Sequence, residues 1–244
     1  MLTSIPLGSL ALLLNGGMHD TNLLFKLVLN TAGDIDNAIE AVDLKTLSPP
    51  KFQEFYYLTC MLSDLVKKKG ARQELKVING ISTIVFHFNE LYRYSCEAMT
   101  IKRLLHIPQT YNDIILSQDG RITLPNAVQV TTRSILGIMI FLSHGVEVPC
   151  EHIENKRALQ YHVCPSMVYN WEPLMHGIIA IHSSLDKPIC AYVKVHIYGY
   201  WYYIDWSDFN SIATFNFMNT LIILSAGNEL SGTSQAPVIT IPTK

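Results

Sequence analysis

The chain of 244 residues is long enough to bury a sizeable core, and 49% hydrophobic against 16% charged residues argues against disorder along most of it. A formal net charge of −2 and a pI near 6.5 give no basic field for nucleic acid or an anionic membrane. No apolar run reaches the roughly 20 residues that span a bilayer; the longest, Leu7–Leu14 and Ile135–Leu142, are interrupted by Gly8 and Gly137.

The first hundred residues read as mostly helical. "MLTSIPLGSLALLLNGG" looks like a secretory signal but lacks a basic start, carries Pro6 early and has no cysteine for a lipid. It is read instead as a helix over 4–15, capped by Thr3 or Ser4 and stopped by Gly16-Gly17, with Met1 an internal start within a longer protein. Asp20 or Thr21 caps a second helix with Leu23, Leu24, Leu27 and Val28 as its stripe. A third runs from Ser48 and Pro49 to Lys69, with Gly70 at the left-handed position and Lys67-Lys68-Lys69 at the negative end of the dipole. Residues 70–89 are ambiguous, Ile84-Val85-Phe86 being strand-like, and Glu90–His106 has helical periodicity.

The second half mixes elements. Tyr111–Leu116, the turn "SQDGR" and Ile122–Leu124 read as a hairpin, after which Pro125 or Asn126 opens a helix through Ser143, closed by Gly145. Residues 147–173 are loop-rich, and Leu174–His182 and Ala191–Ile197 read as strands. Tyr200–Ile204 pairs back onto the latter through Tyr198-Gly199, and a last helix runs over about Ser207–Ser225, with Gly227 ending it. The tail has linker character and a short alternating strand, Val238-Ile239-Thr240-Ile241. The reading is one α+β domain over 1–244: helical to about 106, antiparallel hairpins packed on helices to about 227, then a linker and terminal strand over 228–244.

Three constellations carry possible chemistry. His144, Cys150, His152, His162 and Cys164, with Glu147 and Glu151 among them, supply ligand types suited to zinc. The Cys-x-His and His-x-Cys spacings are not the usual paired knuckle, and an ordinary loop explains them as well. Five widely spaced cysteines form no disulfide framework, contain no CxxC and leave the compartment open. A Cys–His nucleophile pair has no activating context, and there is no GxSxG, phosphate-cradling glycine loop or HExxH.

The third constellation is "GYWYYIDWSDFN". Tyr200, Trp201, Tyr203, Asp205, Trp206 and Asp208 are its candidate ligand-binding residues, since aromatic faces stack on small molecules or sugars and paired carboxylates serve hydrolysis. The competing reading makes Tyr200, Tyr202 and Ile204 one face of a hairpin strand and Trp201 and Tyr203 the other. Asp205, Ser207 or Asp208 then caps the following helix.

Three segments together, "TSIPLGSLALLLNGGMHDTNLLFKLVLN", "RSILGIMIFLSHGVEVP" and "GYWYYIDWSDFNSIATFNFMNTLIILSAG" followed by "APVITIP", resemble a family of uncharacterised bacterial proteins predicted to be envelope-associated or lipoprotein-like. A Pro-containing helix start, a "SILG…VEVP" segment and a "GYWFYID"-type hairpin–helix recur there in this order. The resemblance implies a place on the periplasmic side of the cell envelope, against a cytoplasmic alternative. It also implies protein partners in an envelope complex, or self-association, and no catalytic residues. Longer members carry an upstream portion with the targeting signal. This chain has Asp205-Trp206 where relatives have two acidic residues, and His144 and Cys150 lie outside the family pattern.

The sequence is therefore read as a non-enzymatic structural or interaction module of a cell-envelope assembly. A small-molecule or glycan binder or hydrolase using Asp205 and Asp208 is the second reading, and a zinc site within 144–164 the third.

Overall fold

The computed structural model describes residues 3–15, 20–37, 49–158, 162–164, 167–168 and 170–230. The expected stop at Gly16-Gly17, the Ser48 cap and the tail beyond residue 230 lie outside the described residues. The fold is mixed α+β, and no described helix is long and apolar enough to cross a membrane.

The amino-terminal half is not simply helical. Helices α1 (Leu7–Asn15) and α2 (Thr21–Val28) lead directly into strands β1 (Leu29–Ala32) and β2 (Ile35–Asp36). Asp20 caps α2 by accepting from Asn22 N at 2.8 Å. The backbone turns extended at Leu29, and Gly33, at φ +65°, allows the turn into β2. Helix α3 (Pro49–Lys67) closes with Lys69 in the left-handed position expected for Gly70. Its last carbonyls are met by Lys69 N to Val66 O and Gly70 N to Leu65 O.

Strands β3 (Ala71–Ile78) and β4 (Ile81–Phe88) then form a full hairpin through Asn79-Gly80, both with positive φ, where the sequence reading was undecided. Helix α4 (Cys96–Leu104) begins later than the periodicity implied, at the Ser95 cap.

The expected hairpin over 111–124 is also absent. Strand β5 (Asp113–Ser117) pairs antiparallel with β4, and its other neighbour is β6 (Ala127–Thr132), which lies parallel to it. The turn chemistry at Asp119–Arg121 is real, with Arg121 N donating to Asp119 Oδ1 at 2.9 Å, but the chain loops back before re-entering the sheet. Gln118 fixes this return. Its amide donates to Ile5 O at 3.0 Å and Thr132 Oγ1 at 2.7 Å, while its carbonyl accepts from Leu7 N at 2.8 Å. Part of the helix expected over 125–143 is thus a strand, because Val128, Val130 and Thr132 alternate into the core. Only α5 (Ile135–Ser143), capped by Ser134, remains helical.

The six strands order as β2-β1-β6-β5-β4-β3. α3 touches both β2 and β3, at opposite edges. Its 19 residues make about 28 Å of helix, enough to cross the roughly 24 Å of a six-stranded sheet. Phe25, Phe55, Phe86, Leu10, Leu24 and Ile101 fill the core between sheet and helices.

The carboxyl-terminal part begins with α6 (Cys150–Glu154), the short pair β7 (His162–Cys164) and β8 (Met167–Val168), and α7 (Glu172–Met175), which overlaps the start of the strand expected over 174–182. A three-stranded sheet follows, ordered β10-β11-β9, from β9 (His182–Ser184), β10 (Ala191–Ile197) and β11 (Tyr200–Asp205). The β10–β11 hairpin turns at Tyr198-Gly199, both at positive φ, as the sequence indicated. Helix α8 (Phe209–Leu230) continues through Gly227, so residues 228–230 belong to it rather than to a linker.

Arg133 is buried where β1, β6 and α5 meet. Nη1 donates to the carbonyls of Lys26 (2.9 Å), Leu27 (3.2 Å) and Leu29 (3.0 Å), Nη2 donates to Asn37 O (2.5 Å), and the guanidinium lies 4.5 Å from the Phe141 ring centre. Arg133→Met leaves buried acceptors without donors, each costing ~1–3 kcal/mol, so a loss of about 3 kcal/mol is expected. It would be read as a lower urea midpoint at unchanged slope. Arg133→Lys recovers only part of it, because a single ammonium cannot reproduce the fork.

Candidate functional site

An open groove of about 720 Å³ lies at the carboxyl end of α5. Three segments build it: His144–Glu147, Asn170–His182 and the start of α8. Gly145 is needed there because a Cβ would meet Ile179 Cγ2 at 2.6 Å and Ile179 O at 2.7 Å. This close approach lets Ile181 N donate to Gly145 O at 2.9 Å and Glu147 N donate to Ile181 O at 2.8 Å.

The start of α8 holds the same wall with side chains that its helical pattern buries. Ser211 Oγ accepts from Ala180 N at 2.7 Å and donates to Asp208 Oδ2, while Thr214 Oγ1 donates to Ile178 O at 2.6 Å. Asp208 Oδ1 also accepts from Ser211 N at 3.1 Å, which makes Asp208 the cap of α8 at the lip of the groove.

Polar and apolar groups alternate around the walls. His144 stacks on Trp171 with ring centres 3.6 Å apart and planes within 3°, and burial pushes its imidazole pKa down to about 4. At neutral pH it is an uncharged ring on an indole face. Glu147 Oε2 accepts from Ser183 N at 3.1 Å and lies 3.5 Å from His182 Nδ1. Met175, Ile178 and Ile179 supply the apolar surface. Such a mixture, concave and apolar with a few placed polar groups, is the usual form of a small-molecule site.

The aromatic hairpin is built differently, its rings each meeting another side chain of this chain. Tyr202 Oη lies 2.8 Å from His152 Nδ1, and His152 Nε2 lies 3.3 Å from Tyr198 O. A carbonyl only accepts, so Nε2 carries the proton and Nδ1 accepts from the tyrosine. Tyr200 Oη donates to Glu151 Oε2 at 3.4 Å, and its ring meets His152 edge-on at 5.0 Å. On the opposite face Lys187 Nζ stands 5.6 Å from the Trp201 ring centre, and His182 lies 5.6 Å from Tyr203. Trp206 packs edge-on against Tyr192 at 5.0 Å. Asp205 Oδ1 accepts from Ser207 N (2.8 Å) and Ser207 Oγ (2.6 Å); these bonds, helped by His182, hold its carboxyl below the usual range.

The expected site residues therefore separate. Asp208 and His144 come together in the groove, joined by Glu147, His182 and Ser211, whereas Tyr200, Trp201, Tyr203, Asp205 and Trp206 do not line it. Cys150 and His152 lie on α6, and the buried His152 anchors that helix to the hairpin with both ring nitrogens engaged. Cys150 is an exposed free thiol, like Cys96 and Cys190. The side chains of His162 and Cys164 lie outside the described residues, and no group of three or more His, Cys, Asp or Glu converges among those described. No protein-family model, curated protein or solved structure matches the chain.

The His144–Trp171 stack gives a pH signature. An imidazole whose folded pKa lies near 4, against an ordinary 6.5, refuses a proton that the unfolded chain accepts. Its contribution to stability is complete above pH 6.5, is lost as the pH falls through that value, and levels off below about 4. His144→Phe keeps an aromatic ring on Trp171 but removes this titration. Denaturant midpoints measured from pH 7 to 4 should decline less steeply in the variant than in the wild-type chain.

Proposed function

We propose that this chain is a non-enzymatic interaction module within a cell-envelope assembly. The observation that carries the interaction role is α5. This helix contains no charged residue and turns Ile135, Ile138, Phe141 and Leu142 inward, yet its outer face is also apolar. Leu136, Met139 and Ile140, at i, i+3 and i+4, are 42%, 48% and 44% exposed. A helix apolar all round is normally covered on both sides. The envelope location rests on the three-segment resemblance, and the engagement of the hairpin polar groups within the chain favours structure over catalysis there. Tagged protein, gently solubilised from its native source, should co-purify with a defined partner that Met139→Glu releases without changing the circular dichroism. A wild-type chain that isolates with no other protein overturns this reading.

A second reading, small-molecule binding, is favoured by the groove at Asp208. It keeps Asp208 from the sequence-based assignment and replaces the hairpin rings with Trp171 as the aromatic wall. Titration with a panel of sugars and small metabolites, followed through the Trp171 indole resonance, should show a saturable shift that disappears in Asp208→Ala. A resonance unmoved by every member of the panel counts against it.

A further inference from the structure

The edges of the sheets are protected unequally. A strand at a sheet edge presents unpaired N–H and C=O groups, and proteins shield them with charge, bulges or brevity. Strand β2 has two residues and β9 has three, too short to recruit a neighbour. Strand β3 has eight residues but carries Arg72, Glu74 and Lys76, with Glu74 3.4 Å from Arg72 and 3.7 Å from Lys76. Strand β10 is the exception among the described residues. It is seven residues long, ends the order β10-β11-β9, and contains no proline. Its one Lys or Arg is Lys194, whose Nζ donates to Pro188 O at 2.8 Å in its own preceding loop. Val195 and Ile197 are about half exposed.

The sequence of this edge is also suited to meet itself. Pairing with β11 is irregular between Ala191 and Val193 and regular from Val193 to Ile197, which leaves a straight five-residue edge, Val-Lys-Val-His-Ile. A two-fold axis normal to a sheet sends each side chain and its mate to the same face, so the axis of an antiparallel self-pairing falls on a residue. With the axis on Val195, Val195 meets Val195 of the second copy, Val193 meets Ile197, and Lys194 meets His196. With the axis on Lys194 the two ammonium groups stand opposite each other, which is unfavourable. Only the Val195 register pairs the whole straight edge. Because Val193, Val195 and Ile197 sit beside Ile204, Tyr202 and Tyr200, their apolar row would run unbroken across both copies.

We propose that the chain self-associates through β10, antiparallel about Val195, to form a six-stranded sheet ordered β9-β11-β10-β10-β11-β9 across two copies. The occupant of the edge is a second copy of this chain, and the surface is distinct from the outer face of α5.

Sedimentation velocity over a concentration series tests this directly. The wild-type chain should run as a dimer. Val195→Lys places like charges on the axis and should weaken self-association roughly tenfold or more, with circular dichroism unchanged. Met139→Glu should leave the dimer intact, which separates this contact from any partner held by α5. In a background with Cys96, Cys150 and Cys190 changed to serine, Val195→Cys should cross-link to itself under mild oxidation and Lys194→Cys should not, since only the axis residue meets its own mate. A monomeric wild-type chain, a dimer that survives Val195→Lys, a dimer abolished by Met139→Glu, or equal cross-linking at both positions would each overturn the proposal.

Discussion

A single buried guanidinium ties α2, the six-stranded sheet and α5 together. Arg133 sits between the end of β6 and the cap of α5, and its two terminal nitrogens collect carbonyls from Lys26, Leu27, Leu29 and Asn37. Its own backbone joins the same knot: its N–H donates to Val28 O and its carbonyl accepts from Ile5 N. The carbonyls at the carboxyl end of α2, where the helix dipole is negative, and the Phe141 ring both face this charge. One side chain thereby fixes the end of α2, the entry to β1, the exit from β2 and the start of α5.

The candidate surfaces follow from that placement. Once the start of α5 is fixed, Ile138, Phe141 and Leu142 turn inward, Leu136, Met139 and Ile140 are left facing outward, and His144 emerges beside the 170–182 segment. Gly145 and Ile179 then approach at backbone distance, and Ser211 and Thr214 of α8 bond the carbonyl and amide of that same segment. Backbone hydrogen bonds thus make the groove wall, and the side chains decorate it. The hairpin attaches elsewhere, through the imidazole of His152 between Tyr202 Oη and Tyr198 O.

What the sequence made legible was local. Asp20 and Asp208 announce helix starts because a carboxylate two or three residues ahead of unbonded amides is a short-range signal, and Tyr198-Gly199 marks a tight turn for the same reason. Asn79-Gly80 carries an equally clear turn signal, but β3, with its Arg, Glu and Lys, does not alternate cleanly enough to read as a strand. The β6–α5 boundary was hidden because the valines of "AVQVTT" run on into the apolar "ILGIMIFLS", and burial is what separates a period of two from one of 3.6. Arg133 reads as an ordinary surface cation, since its acceptors lie about a hundred residues away. The groove gathers Glu147, His182 and Ser211 from separate segments, with no spacing to reveal it.

Two residues of the zinc reading sit in different surroundings. Cys150 and His152 are close in sequence, yet the helix that carries them buries the histidine and leaves the cysteine exposed. A neutral imidazole has one donor and one acceptor, and here Nε2–H is directed to a carbonyl while Nδ1 accepts from a tyrosine. Lys102 follows the same logic: buried, it donates to Arg93 O and Gln109 O, and burial lowers its pKa. In each case a group that often performs chemistry is committed to holding two segments together. Among the described residues, the outer face of α5 and the β10 edge stay exposed, beside the polar groups that line the groove.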